Sequence, residues 1–292
     1  MRLIISFLLA AVFWITMGCQ KKHNISSKPV VLVSISPYDT FARKIAGETL
    51  VIKTAVPANY NSHLFEPTFA QIQGFETASV FLGIKEPFEK HLLDSLTSYN
   101  PKIIYADLGK GISRTTDHAH HKCSHHHHGD EEKDRHYWTD PLIALKQAER
   151  IKEIFVKTFP QHQSLYEKNF QALKKEFTEL DEELQTRLSP FKGQAILSSH
   201  PSLGYFCERY SLVELSIECE GKTPLPSDLQ KIIASSKTHK MLCIFGYEQF
   251  DNKGAIAMSH HLDIPFYIIN INEKDYFKNM RSISLILSKG AS

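Results

Sequence analysis

Hydrophobic positions along this chain switch between two periods. The short, largely apolar runs Val30 to Ile35, Leu50 to Val56, Ser79 to Gly83 and Lys102 to Ala106 read as buried strands. Between them, Ser36 and Pro37 open a helix that ends near Gly47, and helical patterns cover Pro67 to Phe75 and Glu86 to Thr97. Pro141 to Thr158 reads as a further helix. Gln161 to Leu188 is a longer one, with Leu165, Phe170, Leu173, Phe177, Leu180, Leu184 and Leu188 at helical spacing. At 1.5 Å per residue it spans roughly 40 Å, more than one small lobe needs. The alternation then resumes, with strands at Gln194 to Ser198, Leu212 to Ile217, Met241 to Phe245 and Pro265 to Ile271, and helices after Ser202, Pro226, Phe250 and Asp275.

This order predicts an α/β protein of two lobes, each a mainly parallel sheet flanked by helices, joined by a long rigid helix. The expected divisions are a signal segment at 1–19, a tether at 20–28, a first lobe at 29–159, a bridging helix at 160–189 and a second lobe at 190–292. Arg2, the apolar run Leu3 to Ile15 and the small-residue exit before Cys19 have the layout of a secretory signal. Gly18-Cys19 followed by a polar stretch resembles a lipoprotein box, although Thr16 and Met17 replace its usual residues. The expectation is an extracytoplasmic protein, either tethered to a membrane through Cys19 or cleaved nearby and soluble in the periplasm.

Charge is nearly balanced, 34 Lys and Arg against 32 Asp and Glu, with no basic stripe to serve as a nucleic-acid footprint. The charged residues from Lys174 to Arg187 read as the solvated face of the long helix. None of the five cysteines has CxxC spacing. Outside the cytoplasm two of Cys207, Cys219 and Cys243 are free to pair, and the sequence does not say which.

Histidine changes the picture. Half of the sixteen lie between Asp117 and Pro141. His118, His120, His121, Cys123 and His125, His126, His127 and His128 form a tract within a loop at 117–135, suited to collecting borderline-soft cations without one fixed geometry. Three other histidines sit where α/β sheets place ligands, in loops beyond the carboxyl ends of strands: His63 after the second strand, His136 just before the helix at Pro141, and His200 after the strand ending at Ser199. Spacing alone does not show that they converge.

The runs Asn61-Ser-His-Leu-Phe-Glu-Pro67, His136-Tyr-Trp-Thr-Asp-Pro141 and Ser199-His-Pro-Ser-Leu-Gly-Tyr205 resemble the metal-ligand motifs of the cluster A-I (ZnuA/TroA-like) solute-binding proteins of ABC transporters. The histidine tract is similar to that of the zinc-specific members, and Gly221 to Leu229 resembles the family's entry to its next helix. The resemblance covers the mature chain. It implies a metal ion bound between the lobes by His63, His136 and His200 and delivery to a membrane ABC permease; a monomer is the plain expectation for such a carrier.

Manganese members of the family usually place a carboxylate where this chain has His200 and an aspartate near Asn270. Three imidazoles without that aspartate favour Zn²⁺, with Mn²⁺ or iron as the alternative, because manganese prefers hard oxygen donors. For the fourth position water ranks first, followed by a tract histidine, Glu66, or Asn270, whose neutral amide is a poor zinc ligand. Three ligands plus water is also the layout of a zinc hydrolase, but no HExxH or GxSxG motif is present. Glu248 is expected to support the site or to pair with an arginine rather than act as a base. Nor does the sequence support an adhesion role. Trp138 and Tyr205 read either as walls of the site or as plain core.

Overall fold

The computed structural model describes residues 28–112, 134–218 and 226–290. Two four-stranded parallel sheets are formed. In the first, β1 (Val30–Val33), β2 (Val51–Thr54), β3 (Ala78–Gly83) and β4 (Ile104–Asp107) lie in the order β2-β1-β3-β4. In the second, β5 (Ala195–Ser198), β6 (Val213–Ser216), β7 (Met241–Tyr247) and β8 (Phe266–Ile269) lie in the order β6-β5-β7-β8. The second order repeats the first. So does a local irregularity, since the central pairs slip in register at their first step, between Val30 and Val31 in one sheet and between Ala195 and Ile196 in the other.

The repetition extends to the turns that leave β3 and β7. Gly83 and Gly246 are each followed six residues later by a side chain that folds back onto the strand end. Glu89 accepts the Ile84 and Lys85 amides at 2.9 to 3.1 Å, and Asn252 Oδ1 accepts the Tyr247 amide at 2.9 Å. A Cβ on either glycine would collide with that carboxylate or amide, which is why both positions lack a side chain.

The helices are α1 (Ser36–Ala46), α2 (Phe69–Phe75), α3 (Pro87–Tyr99), α4 (Pro141–Thr158), α5 (Gln163–Leu188), α6 (Gly204–Tyr210), α7 (Pro226–Ser236), α8 (Lys253–Leu262) and α9 (Tyr276–Lys289). The expected elements are all present, mostly with shorter strands. Ala55 and Val56 continue the hydrogen bonding of β2, to the Val33 and Ser34 carbonyls, but turn out of the ladder toward the cleft. Among the described residues no helix is long and apolar enough to cross a membrane. The signal segment, Cys19, the tether and the histidine tract lie outside the described residues.

The 26-residue α5 is the common support. Tyr166, Phe170, Leu173, Phe177, Leu180, Leu184 and Leu188 are buried along it. Leu165 is 38% exposed, a correction to the stripe expected from sequence: it lies one residue off the line that Tyr166 occupies. Phe177 touches both halves, with its ring centroid 5.1 Å from Phe41 of α1 and 5.0 Å from Phe277 of α9. One continuous core therefore covers the first lobe, α5 and the adjoining face of the second sheet, while a separate core fills the outer face of that sheet. Polar pairs reinforce the joint: Asp181, buried on α5, takes Arg209 Nε at 2.8 Å and Tyr210 Oη at 3.1 Å.

Candidate metal centre

His63 sits on a single turn of 3-10 helix, Ser62–Leu64, begun by Asn61, whose Oδ1 accepts the His63 amide at 2.9 Å. His136 precedes a second such turn, Tyr137–Thr139, and the chain enters α4 through Asp140, which caps Leu142 and Ile143, with Pro141 in the first position. His200 lies two residues past β5, on a loop tied to the neighbouring β7 by the Ser199 amide bonding the Phe245 carbonyl. Two loops of the first lobe and one of the second thus face each other across the carboxyl ends of both sheets.

The three imidazoles come together. Their ligand atoms lie within 4.8 Å of one another, and ring centroids are separated by 5.1 to 5.6 Å. His136 and His200 are buried and His63 is half-buried. Each ring has a carboxylate at its Nδ1: Asp134 Oδ1 at 2.8 Å from His136, Glu218 Oε2 at 2.6 Å from His200, and Glu86 Oε2 at 3.1 Å from His63. With Nδ1 engaged in this way, Nε2 remains as the ligand atom. In His200 that atom is buried without a hydrogen-bond partner. A buried imidazole nitrogen is costly to leave unsatisfied, and a cation bound there would complete it.

Electrostatics prepare these groups for a cation. Burial, reinforced by the neighbouring His136 and His63, outweighs Glu218 and brings the His200 pKa down to about 4, so the ring is neutral at ordinary pH. Glu86 is 2% exposed, and burial alone would raise its pKa; His63, His136 and Arg135 reverse that and hold it below the usual range, keeping it ionised. A neutral His200 beside two further imidazoles, with carboxylates behind all three, makes a site suited to a divalent ion that takes nitrogen donors.

The proposed fourth ligands fare differently. Glu66 is exposed and is not among the side chains whose ligand atoms converge. Asn270 Oδ1 already accepts from Gln249 Nε2 and, at 2.9 Å, from the Asn272 amide, while its Nδ2 donates to Glu248 Oε2 at 2.9 Å. Glu248 therefore pairs with Asn270, where the sequence reading allowed an arginine partner. Trp138 and Tyr205 serve as both core and wall. Trp138 is buried 5.4 Å from the His136 ring and donates to the Ile271 carbonyl, and Tyr205 Oη donates to the Asp134 carbonyl at 3.1 Å. Cys243 is a buried thiol that does not pair with the buried Cys207, and Cys219 lies outside the described residues.

Sequence reasoning missed Glu86, Glu218, Gln249 and Phe250, and it passed over the role of Asp134. Only Asp134 carried a local signal, an acid two residues before a histidine. The others depend on chain segments brought together by folding. Phe250 lies flat on His200, with centroids 4.3 Å apart and planes 18° from parallel.

Residues 31–290 match the family model of ZnuA, the periplasmic component A of the zinc-uptake complex. A putative metal-binding protein of Chlamydia trachomatis serovar D is 25% identical over 285 residues, covering 97% of this chain and 98% of that protein. The high-affinity zinc uptake system protein ZnuA of Bacillus subtilis is 23% identical over 279 residues, covering 91% of this chain and 88% of that one. A crystal structure of ZnuA superposes with a TM-score of 0.81 at 26% identity, covering 91% of this chain and all of the other.

Proposed function

The chain belongs to the ZnuA family of periplasmic zinc-uptake components, and from that membership we propose that it is an extracytoplasmic receptor that captures Zn²⁺ between its lobes and hands it to an ABC permease. Members of this family are metal-binding receptors of ABC transport rather than enzymes. The observation that carries the zinc reading is the convergence of His63, His136 and His200, each with a carboxylate at Nδ1. Tetrahedral zinc with nitrogens at about 2.0–2.1 Å would bring the three ligand atoms to about 3.4 Å from one another. From a spread of at most 4.8 Å this requires only small side-chain shifts.

A water is the fourth ligand in this reading, since Asn270 is engaged elsewhere and Glu66 faces solvent. Three imidazoles and a water satisfy Zn²⁺, whereas Mn²⁺ is left short of hard oxygen donors. The tract His118 to His128, with Cys123, is an auxiliary collector that raises the local zinc supply. The protein works as a monomer, held at the membrane by lipid on Cys19.

Competitive titration of metal-stripped protein beginning after Cys19 tests the reading. One tight zinc should survive deletion of residues 117–128, disappear in His63→Ala, and resist displacement by manganese. Manganese competing on equal terms, or loss of tight zinc with the tract alone, would refute it.

A further inference from the structure

The second lobe holds an amide whose bonds run in two directions. Gln249 lies in the turn after β7, three residues beyond Gly246, as Glu86 lies three residues beyond Gly83. Glu86 faces His63. Gln249 Nε2 reaches across the cleft to the carbonyl of Ala58, at 2.6 Å, in the loop that carries His63, and also donates to Asn270 Oδ1 just beyond β8. Neither amide has freedom to be turned the other way. Asn270 must present nitrogen to Glu248 and oxygen to the Asn272 amide, so Gln249 must present nitrogen to both of its acceptors. The next residue, Phe250, is the one stacked on His200 and stands 6.4 Å from His63.

We propose that Gln249 is a specificity-determining residue, a cross-cleft strap that holds the His63 loop against the second lobe and keeps the Asn270 oxygen out of the ion's coordination sphere. The inference rests on the receptor reading above. Its chemistry is a matter of which donors are withheld. Zinc is content with three nitrogens and one small ligand, whereas manganese needs additional oxygens. The amide oxygen of Asn270 is a hard donor, and the strap and the Asn272 amide occupy it. On the other flank Phe250 presents hydrocarbon beside two of the three rings. Removing the strap frees a hard oxygen donor and loosens the loop that would have to shift to admit a larger coordination shell.

The test measures zinc and manganese affinities, each by competition with a chelator, for the wild-type protein, Gln249→Ala and Gln249→Met. The methionine variant keeps the side-chain length and volume but has no donor, so it guards against a cavity effect in the alanine variant. The strap predicts that the preference for zinc over manganese narrows at least tenfold in both variants. A purely structural role would lower both affinities in proportion and leave the ratio within twofold, and that outcome overturns the proposal. If both variants fail to fold while the wild type folds, Gln249 is a stability residue and the proposal also falls. Wild-type protein without tight zinc would refute the receptor reading and the strap with it, whereas tight wild-type zinc with an unchanged ratio refutes the strap alone.

Discussion

Asp134 holds His136 twice, accepting its backbone amide at 3.0 Å and its ring Nδ1 at 2.8 Å through the same oxygen. A carboxylate in that position sets the tautomer, aims Nε2 outward and makes the ring a stronger donor. Asp134→Ala should therefore weaken zinc binding by about 10–100-fold, the range found when such outer partners are removed. The check is zinc affinity measured beside a thermal melt, because the loss should far exceed any change in stability. Equal affinity in the variant would show that the pair does not orient the ligand.

A second expectation concerns acid. In the unfolded chain the His200 imidazole takes up a proton near its ordinary pKa of about 6.5, whereas in the fold that pKa is lowered to about 4, chiefly by burial. Between those values the unfolded state binds more protons. The stability contributed by neutral His200 is thus complete above about pH 6.5 and is lost as pH falls toward 4, on the order of 3 kcal/mol for the metal-free protein. The melting temperature of the apo form should drop through this window, and His200→Gln should flatten the drop. Because zinc binds only deprotonated imidazole, acid should also weaken zinc binding.

On α5, Asp181 holds Arg209 and Tyr210 of the second lobe. Asp181→Ala leaves a guanidinium and a phenol without their acceptor and should cost about 2–3 kcal/mol, less than a fully buried pair because Arg209 is about a third exposed. Urea denaturation would report this. Zinc affinity, measured well below the denaturation midpoint, should change less than threefold, since the carboxylates at the three imidazoles are Glu86, Asp134 and Glu218.

Gly83→Ala tests the turn after β3. The added methyl would meet Glu89 and Tyr105, a buried carboxylate and the phenol that donates to it at 2.6 Å. Overpacking of this kind costs about 1–3 kcal/mol, and displacement of the turn carries Glu86 away from His63. Both stability and zinc affinity should fall, which distinguishes this variant from Asp181→Ala. A loss of stability with affinity intact would mean that Glu86 does not depend on the turn.

The strand-helix alternation was legible because each strand is a short apolar run and α5 carries a regular buried stripe. Strand ends were less so, since Ala55 and Val56 remain apolar while leaving the ladder. Leu165 was misplaced because a leucine one residue off the line looks like part of it until Tyr166 is seen to fill the position. The three histidines were legible from their motifs. Their carboxylates were not: Glu86 lies 23 residues from His63 and Glu218 lies 18 residues from His200, so only the folded sheets bring them together. Asn270 was considered as a ligand because nothing in the sequence shows that its amide is already committed to Glu248, Gln249 and Asn272.

The two halves share strand order, register slip and folded-back turns, but they do not share what those turns deliver. Cargo choice should therefore be separable from architecture. Exchanging residues at 57–66, 84–86, 199–202 and 248–251 should alter which ion is held while both sheets and α5 stay the same. A library confined to those four loops, with the glycines and their backfolded partners left alone, would search metal preference on a constant chassis.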